Sequence, residues 1–591
     1  MFSSIARVLG LSSQPDGKFV CDVFIQEGGC MWELLSEEGV YVDKVKGVMT
    51  VGGRTISMSE VSNLCRYKDP ENAKMTCFQF IAGEVEWGLK FPGDPEPFAQ
   101  LMTSLTRQGA KVVAEVVGGV FLELQGAEWA TVADSGDLEI LVSQRDDFES
   151  FLTVRLGASI LFQSTISRSL NFSFRRPPLI SFYGSSPLSP VARCLALRVT
   201  TAQFSVLERA VDCALRSRAK RASVSPVELN HDRSDSDSSE DSGWESDSST
   251  EAKLNGGKNK LLAVGKKNDR TFVVSGGGSS KAVVHALKAD GRVLQSAGQV
   301  TNSFYRRDGK TLANPRSAML HQGESKLLCL EGKGDMLSLD LETGKVVNEW
   351  KGPEEQSIAA TFPRSKFAQS TDEQTFLAVN DRSLIVMDPR ISGDSQAART
   401  FKYATNVKLS CVASDEQGRI AVGSKTGRIR LFDGEANRDG DLKRAKSLLD
   451  GFGDPVNHVE VSADGRWLLA TCGGYIALLG LSVGDSVTGF TKSLSGEPSS
   501  VTTLTISGTD LAQHGVQRLE FSPARFSETA VLSAVGSVAV SWDLAAAKKG
   551  KSKYTLKKLH SQILDADSLA DHSAVVTLFS GGVGIASRRH R

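Results

Sequence analysis

Between about Asn314 and Leu481 the chain repeats one unit: an alternating apolar strand, a polar turn, and a strand again. Leu337-Ser338-Leu339-Asp340-Leu341 alternates, Glu342-Thr343-Gly344-Lys345 turns, and Val346-Val347 resumes. Ile385-Val386-Met387-Asp388 closes a second unit and Ile429-Arg430-Leu431-Phe432-Asp433 a third. An apolar strand that ends in Asp and runs into a Gly or Pro turn is how a propeller blade passes its chain to the next. From about Leu261 onward roughly 330 residues remain, which at roughly 40–50 residues per blade predicts about seven blades.

Further units are read over Val407 to Phe432, His458 to Leu481 and Val516 to Leu544. Thr271-Phe272-Val273-Val274 and Ala282-Val283-Val284 form a hairpin across a glycine-rich turn. Ser541-Trp542-Asp543 ends a blade, as the Trp-Asp dipeptide does in WD-repeat propellers. Ala574 to Phe579 is placed to complete a blade begun near the domain's start, which would close the ring and remove open sheet edges.

The totals agree with a β-rich soluble scaffold. Of 591 residues 55 are Gly and only 17 Pro, which suits tight hairpins. Lys+Arg and Asp+Glu are 69 each, so a general nucleic-acid binder is not expected. The 9 Cys and 8 His show no metal or redox spacing, and read as reduced, mostly buried thiols of an intracellular protein without metal or cofactor. No apolar run reaches the roughly 20 residues a bilayer span needs. The best, Val112 to Leu124, is broken by Glu115, Gly118-Gly119 and Glu123. Residues 1–17 lack a secretory signal and read as a short docking helix or a frayed end. The expected location is cytoplasmic, with a nuclear share if the basic run Arg216, Arg218, Lys220, Arg221 is a localisation patch rather than a kinase motif or a helix C-terminus.

Residues 18–110 read as a small β domain closed by a helix. Phe19 to Ile25, Val40 to Val45, Cys77 to Ile81 and Trp87 to Phe91 are its strands, and Phe98, Leu101, Met102 and Leu105 share a helix face. The Trp-x-Leu-x-Phe strand followed by Pro-x-Pro-Phe-x-x-Leu resembles pleckstrin-homology modules. Residues 111–221 form a second β+α module, with strands at Leu138 to Val142, Phe151 to Leu156 and Arg193 to Thr200. A helix over Thr201 to Arg218 follows, capped by Thr200 or Thr201, and a second pleckstrin-like fold is the expectation. Phosphoinositide binding needs clustered basic side chains. Lys18 stands alone between Gln14 and Glu33, and Arg175-Arg176 is the one Arg-Arg doublet of the second module, so protein docking is favoured over lipid.

Residues 222–260 are acidic and Ser-rich and read as a disordered, self-repelling linker. Ser234, Ser238, Ser242 and Ser248 each have an acid three residues later, the setting of casein-kinase-two-type phosphorylation. An unmodified spacer is the alternative. Lys366, Arg390, Lys425, Arg428 and Arg430 are candidates for a basic rim near the propeller channel, facing an acidic partner or the linker itself.

Several ungapped strings then point to a family. They include Asn314-Pro315-Arg316-Ser317-Ala318-Met319-Leu320, Met387-Asp388-Pro389-Arg390, Ile420-Ala421-Val422-Gly423-Ser424, Gly453-Asp454-Pro455-Val456 and Ala463-Asp464-Gly465-Arg466-Trp467-Leu468-Leu469. They resemble the C-terminal domain of the vacuolar import and degradation protein twenty-seven family, whose plant relatives are the defective-embryo-and-meristems proteins. The resemblance implies a WD40-like propeller protein and no catalytic residues. Gly473-Gly474-Tyr475-Ile476 departs from the family's more polar continuation, and the match weakens beyond Leu481. Asp340, Asp388, Asp433, Asp464, Gly465, Arg466 and Trp467 read as fold-keeping: strand-end acids over turn amides, a positive-φ glycine, and an arginine toward an acid on the next blade.

Gly276-Gly277-Gly278-Ser279-Ser280-Lys281 lacks the glycine and the Ser/Thr that flank the lysine of a phosphate loop. No nucleophile elbow, paired-His helix or dinucleotide fingerprint is present. The sequence as a whole predicts a non-enzymatic protein-interaction scaffold, in vesicle trafficking or targeted degradation. A phosphoinositide-directed trafficking adaptor is the alternative.

Overall fold

The computed structural model describes residues 17–588, apart from 28–32, 38, 52, 70–71, 83–84, 94, 175–177, 187–188, 222–243, 246–251, 255–257, 268–269, 278–279, 291–292, 302–304, 333, 351–357, 392–396, 435–442, 485–486 and 570–573. Two compact units are present. The first comprises nearly all residues up to His231 together with Ser507–Leu519, and the second holds the rest.

In the first unit, a four-stranded sheet (Gly17–Phe19, Val40–Asp43, Val48–Val51, Arg54–Ser57) and a five-stranded sheet (Glu33–Ser36, Asp22–Glu27, Val85–Pro92, Met75–Ala82, Val61–Lys68) share one core. The predicted strand from Phe19 to Ile25 is in fact two, because the chain changes sheets at Val20-Cys21. Helix α1 (Glu96–Thr106) closes the core, with Phe98 packed edge-on against Phe19 and Phe78. Burying its Phe98, Leu101, Met102 and Leu105 stabilises the module by about 1.5–3 kcal/mol per side chain.

The second module is one six-stranded sheet dominated by a long hairpin, Lys111–Gln125 and Glu128–Gln144. Sequence patterning misses most of that hairpin. Its register shifts between Val117 and Gly119 put the alternation out of phase, and its outer residues Val112, Val113 and Val117 are exposed. Helix α2 (Thr201–Lys220) begins at a capping box in which Thr200 accepts from the Gln203 amide, and buries Phe204, Leu207 and Val211. Ser507–Leu519, assigned to the propeller from sequence, belongs to this unit instead. The Tyr183 hydroxyl donates to the Val516 carbonyl, the Ala192 amide donates to Gln517 O at 2.8 Å, and Leu511 of helix α3 (Gly508–Gln513) is buried.

The second unit is a ring of seven antiparallel sheets among the described residues. The blades span residues 259–301, 315–350, 360–402, 409–449, 458–504, 525–558 and 563–588. The second strands are buried on both faces, because blades stack on either side of them. Leu327 to Glu331, Phe376–Asn380 and Ile420–Ser424 are buried throughout, which is why they read as continuous apolar runs. The seventh blade takes three strands from the C-terminal end. Its outer edge is covered by Trp244–Glu245 and Ala252–Lys253, paired with Gly582–Arg588. Those short strands lie inside the stretch expected to be a disordered linker, and edge pairing is the physical reason they are ordered. The first and last blades share a core of Leu262, Val273, Val576 and Leu578. The ring therefore closes.

The central channel as candidate binding site

The innermost strands of all seven blades line one cavity of about 980 Å³. Its wall is divided. Over blades two to four it carries Ala318, Met319, Ala360, Phe362 and Val412, interleaved with Arg316, Ser317, Thr361 and Ser410. Over blades five, six, seven and one it carries His458, Glu460, Arg525, Asp565, Asp567 and Lys266.

Strand alternation puts these charges in the channel. His458 and Glu460 are two apart on His458–Val461, and Asp565 and Asp567 two apart on Ile563–Ser568. Lys366 arrives from the loop after the first strand of blade three. Its Nζ donates to Glu460 Oε1 at 2.6 Å and to the Val461 carbonyl at 2.7 Å, and sits 5.8 Å from the Phe526 ring centroid. Lys266 Nζ pairs with Asp567 Oδ1 at 3.1 Å. Arg525 Nη1 donates to His458 Nε2 at 3.2 Å. A guanidinium only donates, so Nε2 is the acceptor and the proton of a neutral ring sits on Nδ1. Burial, then the nearby Arg525 and Lys366 charges, hold the His458 pKa well below its usual value. Burial pushes the Asp565 carboxyl up to about 6, with the pull of Arg525 opposing and Asp567 reinforcing.

The five candidate rim residues do not converge. Successive strands of a blade run antiparallel, so loops after the first and third strands leave one face and loops after the second strand leave the other. Lys366 and Arg390 are on one face, and Lys425 and Arg428 are on the opposite one. Arg390 is exposed and paired to Asp388 at 2.8 Å, Arg428 pairs with Asp450 at 3.5 Å, and Arg430 is buried 5.0 Å from the Tyr403 ring centroid. The expectation of a single rim is corrected: Lys366 alone among the five lines the channel. Ser234, Ser238, Ser242 and Ser248 lie outside the described residues, as do Arg175 and Arg176.

The motif residues sit at turns. Asp340 Oδ1 accepts from the Thr343 amide at 2.8 Å, which lowers its pKa, and Asp388 Oδ1 accepts from the Arg390 amide at 3.0 Å. Asp433 follows the third strand of blade four. Asp464 Oδ1 accepts from the Arg466 amide at 3.0 Å, and Trp467 lies 5.4 Å beneath Lys548 Nζ. An inter-blade tie at this motif is made by Arg419. It pairs with buried Asp415 on blade four and donates from Nη2 to the Asp464 carbonyl of blade five at 2.8 Å. The polar channel itself escapes sequence reading. Its one legible signal is the pair of acids at alternate positions in the Ile563–Ser568 strand.

Among the described residues, no group of three or more His, Cys, Asp or Glu is placed to hold a metal ion. The thiols of Cys21 and Cys411 are pushed up to about 12 by burial, which keeps them protonated and unreactive.

Known proteins place this architecture. Residues 257–589 match the model of the VID27 C-terminal WD40-like domain. Vacuolar import and degradation protein 27 of Schizosaccharomyces pombe is 32% identical over 345 residues, 54% of this chain and 41% of that protein. Its namesake in Saccharomyces cerevisiae is 28% identical over 307 residues, 48% of this chain and 37% of the relative. The matches thus span under half the length of either relative. With the WD40-like match covering more than half of the chain and a closed ring of seven sheets occupying those residues, the chain belongs to the VID27 family.

Proposed function

We propose that the chain is a non-enzymatic scaffold that holds a protein partner at the channel mouth of its propeller. The observation that carries this reading is the cavity lined by every blade, whose Lys366, Lys266 and Arg525 are tied to carboxylates, a carbonyl or a histidine rather than set against a nucleophile. A general base needs a nucleophile within hydrogen-bond reach. His458 has Arg525 on Nε2 and no hydrogen-bond partner on Nδ1, and Ser410 donates to the Val456 carbonyl at 2.6 Å.

The relatives' name supports a role in vacuolar import and degradation, so targeted degradation or vesicle trafficking is the proposed setting. We read the two N-terminal modules as pleckstrin-homology-like protein-docking units, since each is a sheet assembly closed by a C-terminal helix. The proposed location is cytoplasmic. No helix among the described residues is long and apolar enough to cross a membrane.

Phe367 offers the test. It lines the channel and is 42% exposed, unusual for so large an apolar side chain. Affinity capture with the full chain, followed by mass spectrometry, should recover a partner set that Phe367→Asp loses while its melting temperature stays unchanged. Identical partner sets from the two proteins would refute the channel-mouth assignment.

A further inference from the structure

Arg525 stands apart from the other channel cations. Lys366 is paired to Glu460 and Lys266 to Asp567, Arg316 donates to the Glu331 and Ile358 carbonyls, and Lys548 sits over the Trp467 ring. The Arg525 guanidinium forms no ion pair among the described residues, and its one hydrogen bond goes to a neutral imidazole. Its Nε and the Nδ1 of His458 are both buried without a hydrogen-bond partner. Burial opposes the charge, but the more distant carboxylates of Asp567, Glu460 and Asp565 keep the guanidinium charged. Arg525 also lines the wall of a cavity of about 980 Å³, so its charge stands beside that space with no carboxylate of the described residues in ion-pair range.

The chemistry of an acceptor for it follows from the wall. The fork of an arginine matches carboxylate and phosphate oxygens in a way a lysine does not. Opposite the charged arc the wall presents Ala318, Met319, Phe362 and Val412, with Arg316 the one charged residue on the strands that carry them. Pockets of this kind, apolar with a few placed polar groups, are the usual form of a ligand site.

We infer that Arg525, supported by His458, is the anion-anchoring residue of a ligand site in the channel, taking a carboxylate or phosphate attached to an apolar body. This goes beyond the scaffold reading and does not rest on it, because a small anion can bind whether or not a protein partner docks at the mouth. The ligand is either a free small acid or the end of a polypeptide, and the two share this chemistry. Asp565 sets a further condition. It faces Arg525 from blade seven, alongside Asp567 and Lys266, with Glu460, His458 and Lys366 on the other side. When Asp565 is protonated, a competing negative charge leaves the site.

Isothermal titration of the full-length chain tests this with N-acetylleucine, its uncharged analogue N-acetylleucinamide, and phenyl phosphate. The expected result is binding of at least one of the two acids and not of the amide, weakened at least tenfold in Arg525→Met and partly restored in Arg525→Lys. In the wild type, which needs no folding control, N-acetylleucine should bind at least threefold tighter at pH 5.5 than at pH 7.5. A decapeptide ending in leucine with a free carboxylate separates the sources. Affinity at least tenfold above that of N-acetylleucine assigns a polypeptide end, and equal or weaker affinity assigns a small acid. The inference is overturned if neither acid binds, if acid and amide bind alike, if a folded Arg525→Met binds as the wild type does, or if N-acetylleucine binds more tightly at pH 7.5.

Discussion

Lys366 Nζ lies 2.6 Å from Glu460 Oε1, although 94 residues separate the two in sequence. Lys366 leaves the third blade and meets a carboxylate of the fifth, so one ion pair spans the channel wall past the fourth. Both side chains are largely buried, at 16% and 9% exposure. Removing one partner of a buried pair leaves the other charge unpaired, which is costlier than removing both.

Glu460→Gln should therefore destabilise the propeller by about 2 kcal/mol, less than a full pair deletion because the amide still accepts one hydrogen bond. The double variant Lys366→Met/Glu460→Gln should recover part of that loss. Urea denaturation of the three proteins measures both values, and a double variant less stable than Glu460→Gln would contradict the pairing.

Asp565 makes stability depend on pH in a defined direction. Its folded pKa, about 6, is above the ordinary 3.8, so the folded protein holds this proton more tightly than the unfolded chain does. The resulting penalty is absent below about pH 4, grows between pH 4 and 6, and is complete above that. Asp565→Asn should accordingly be more stable than the wild type at pH 7.5, on the order of 2 kcal/mol. The advantage should vanish by pH 4. Paired denaturation curves across that range decide it, and a constant difference would show that the carboxyl does not titrate as described.

Gly465→Ala tests the tie between blades four and five. Gly465 has φ +68, and a Cβ there would come within 2.8 Å of Arg419 Cζ, inside the Arg419–Asp415 pair. A left-handed backbone alone costs a non-glycine residue about 1–2 kcal/mol, and displacing the buried pair adds to it. A loss of at least about 2 kcal/mol is expected, whereas Gly536→Ala, at φ +57 with open space around it, should lose only the backbone share. Equal losses in the two variants would remove the steric part of the explanation.

Deleting residues 244–253 should uncover the edge strand Gly582–Arg588. Unpaired sheet edges recruit other chains. The deleted protein should run as larger species on size-exclusion chromatography, and a monomer of unchanged melting temperature would show that those strands do not seal the ring.

The propeller was readable because each blade repeats the same short-range physics. Met336–Asp340, Ser383–Met387 and Ile429–Phe432 are apolar third strands with a carboxylate at or just past the end, and Asp340 and Asp388 bind the turn amides that follow. The N-terminal strands were less legible. Phe19 to Ile25 looks continuous to any local pattern, yet divides between two sheets. Likewise nothing in Gly508–Gln513 announces that its helix docks beside Tyr183 and Cys194, more than 300 residues earlier.

The chain by itself determined the number and character of the blades, the capped helices and the membership of the family. Alternation, turn chemistry and capping act over a few residues and leave their mark in order. Tertiary structure alone decided that His458, Glu460, Arg525, Asp565 and Lys366 face one cavity, that Lys425 and Arg428 lie on the opposite face from Lys366, and that Trp244–Glu245 seals the last blade. Those outcomes depend on ring closure, which joins residues hundreds of positions apart and which no local period encodes.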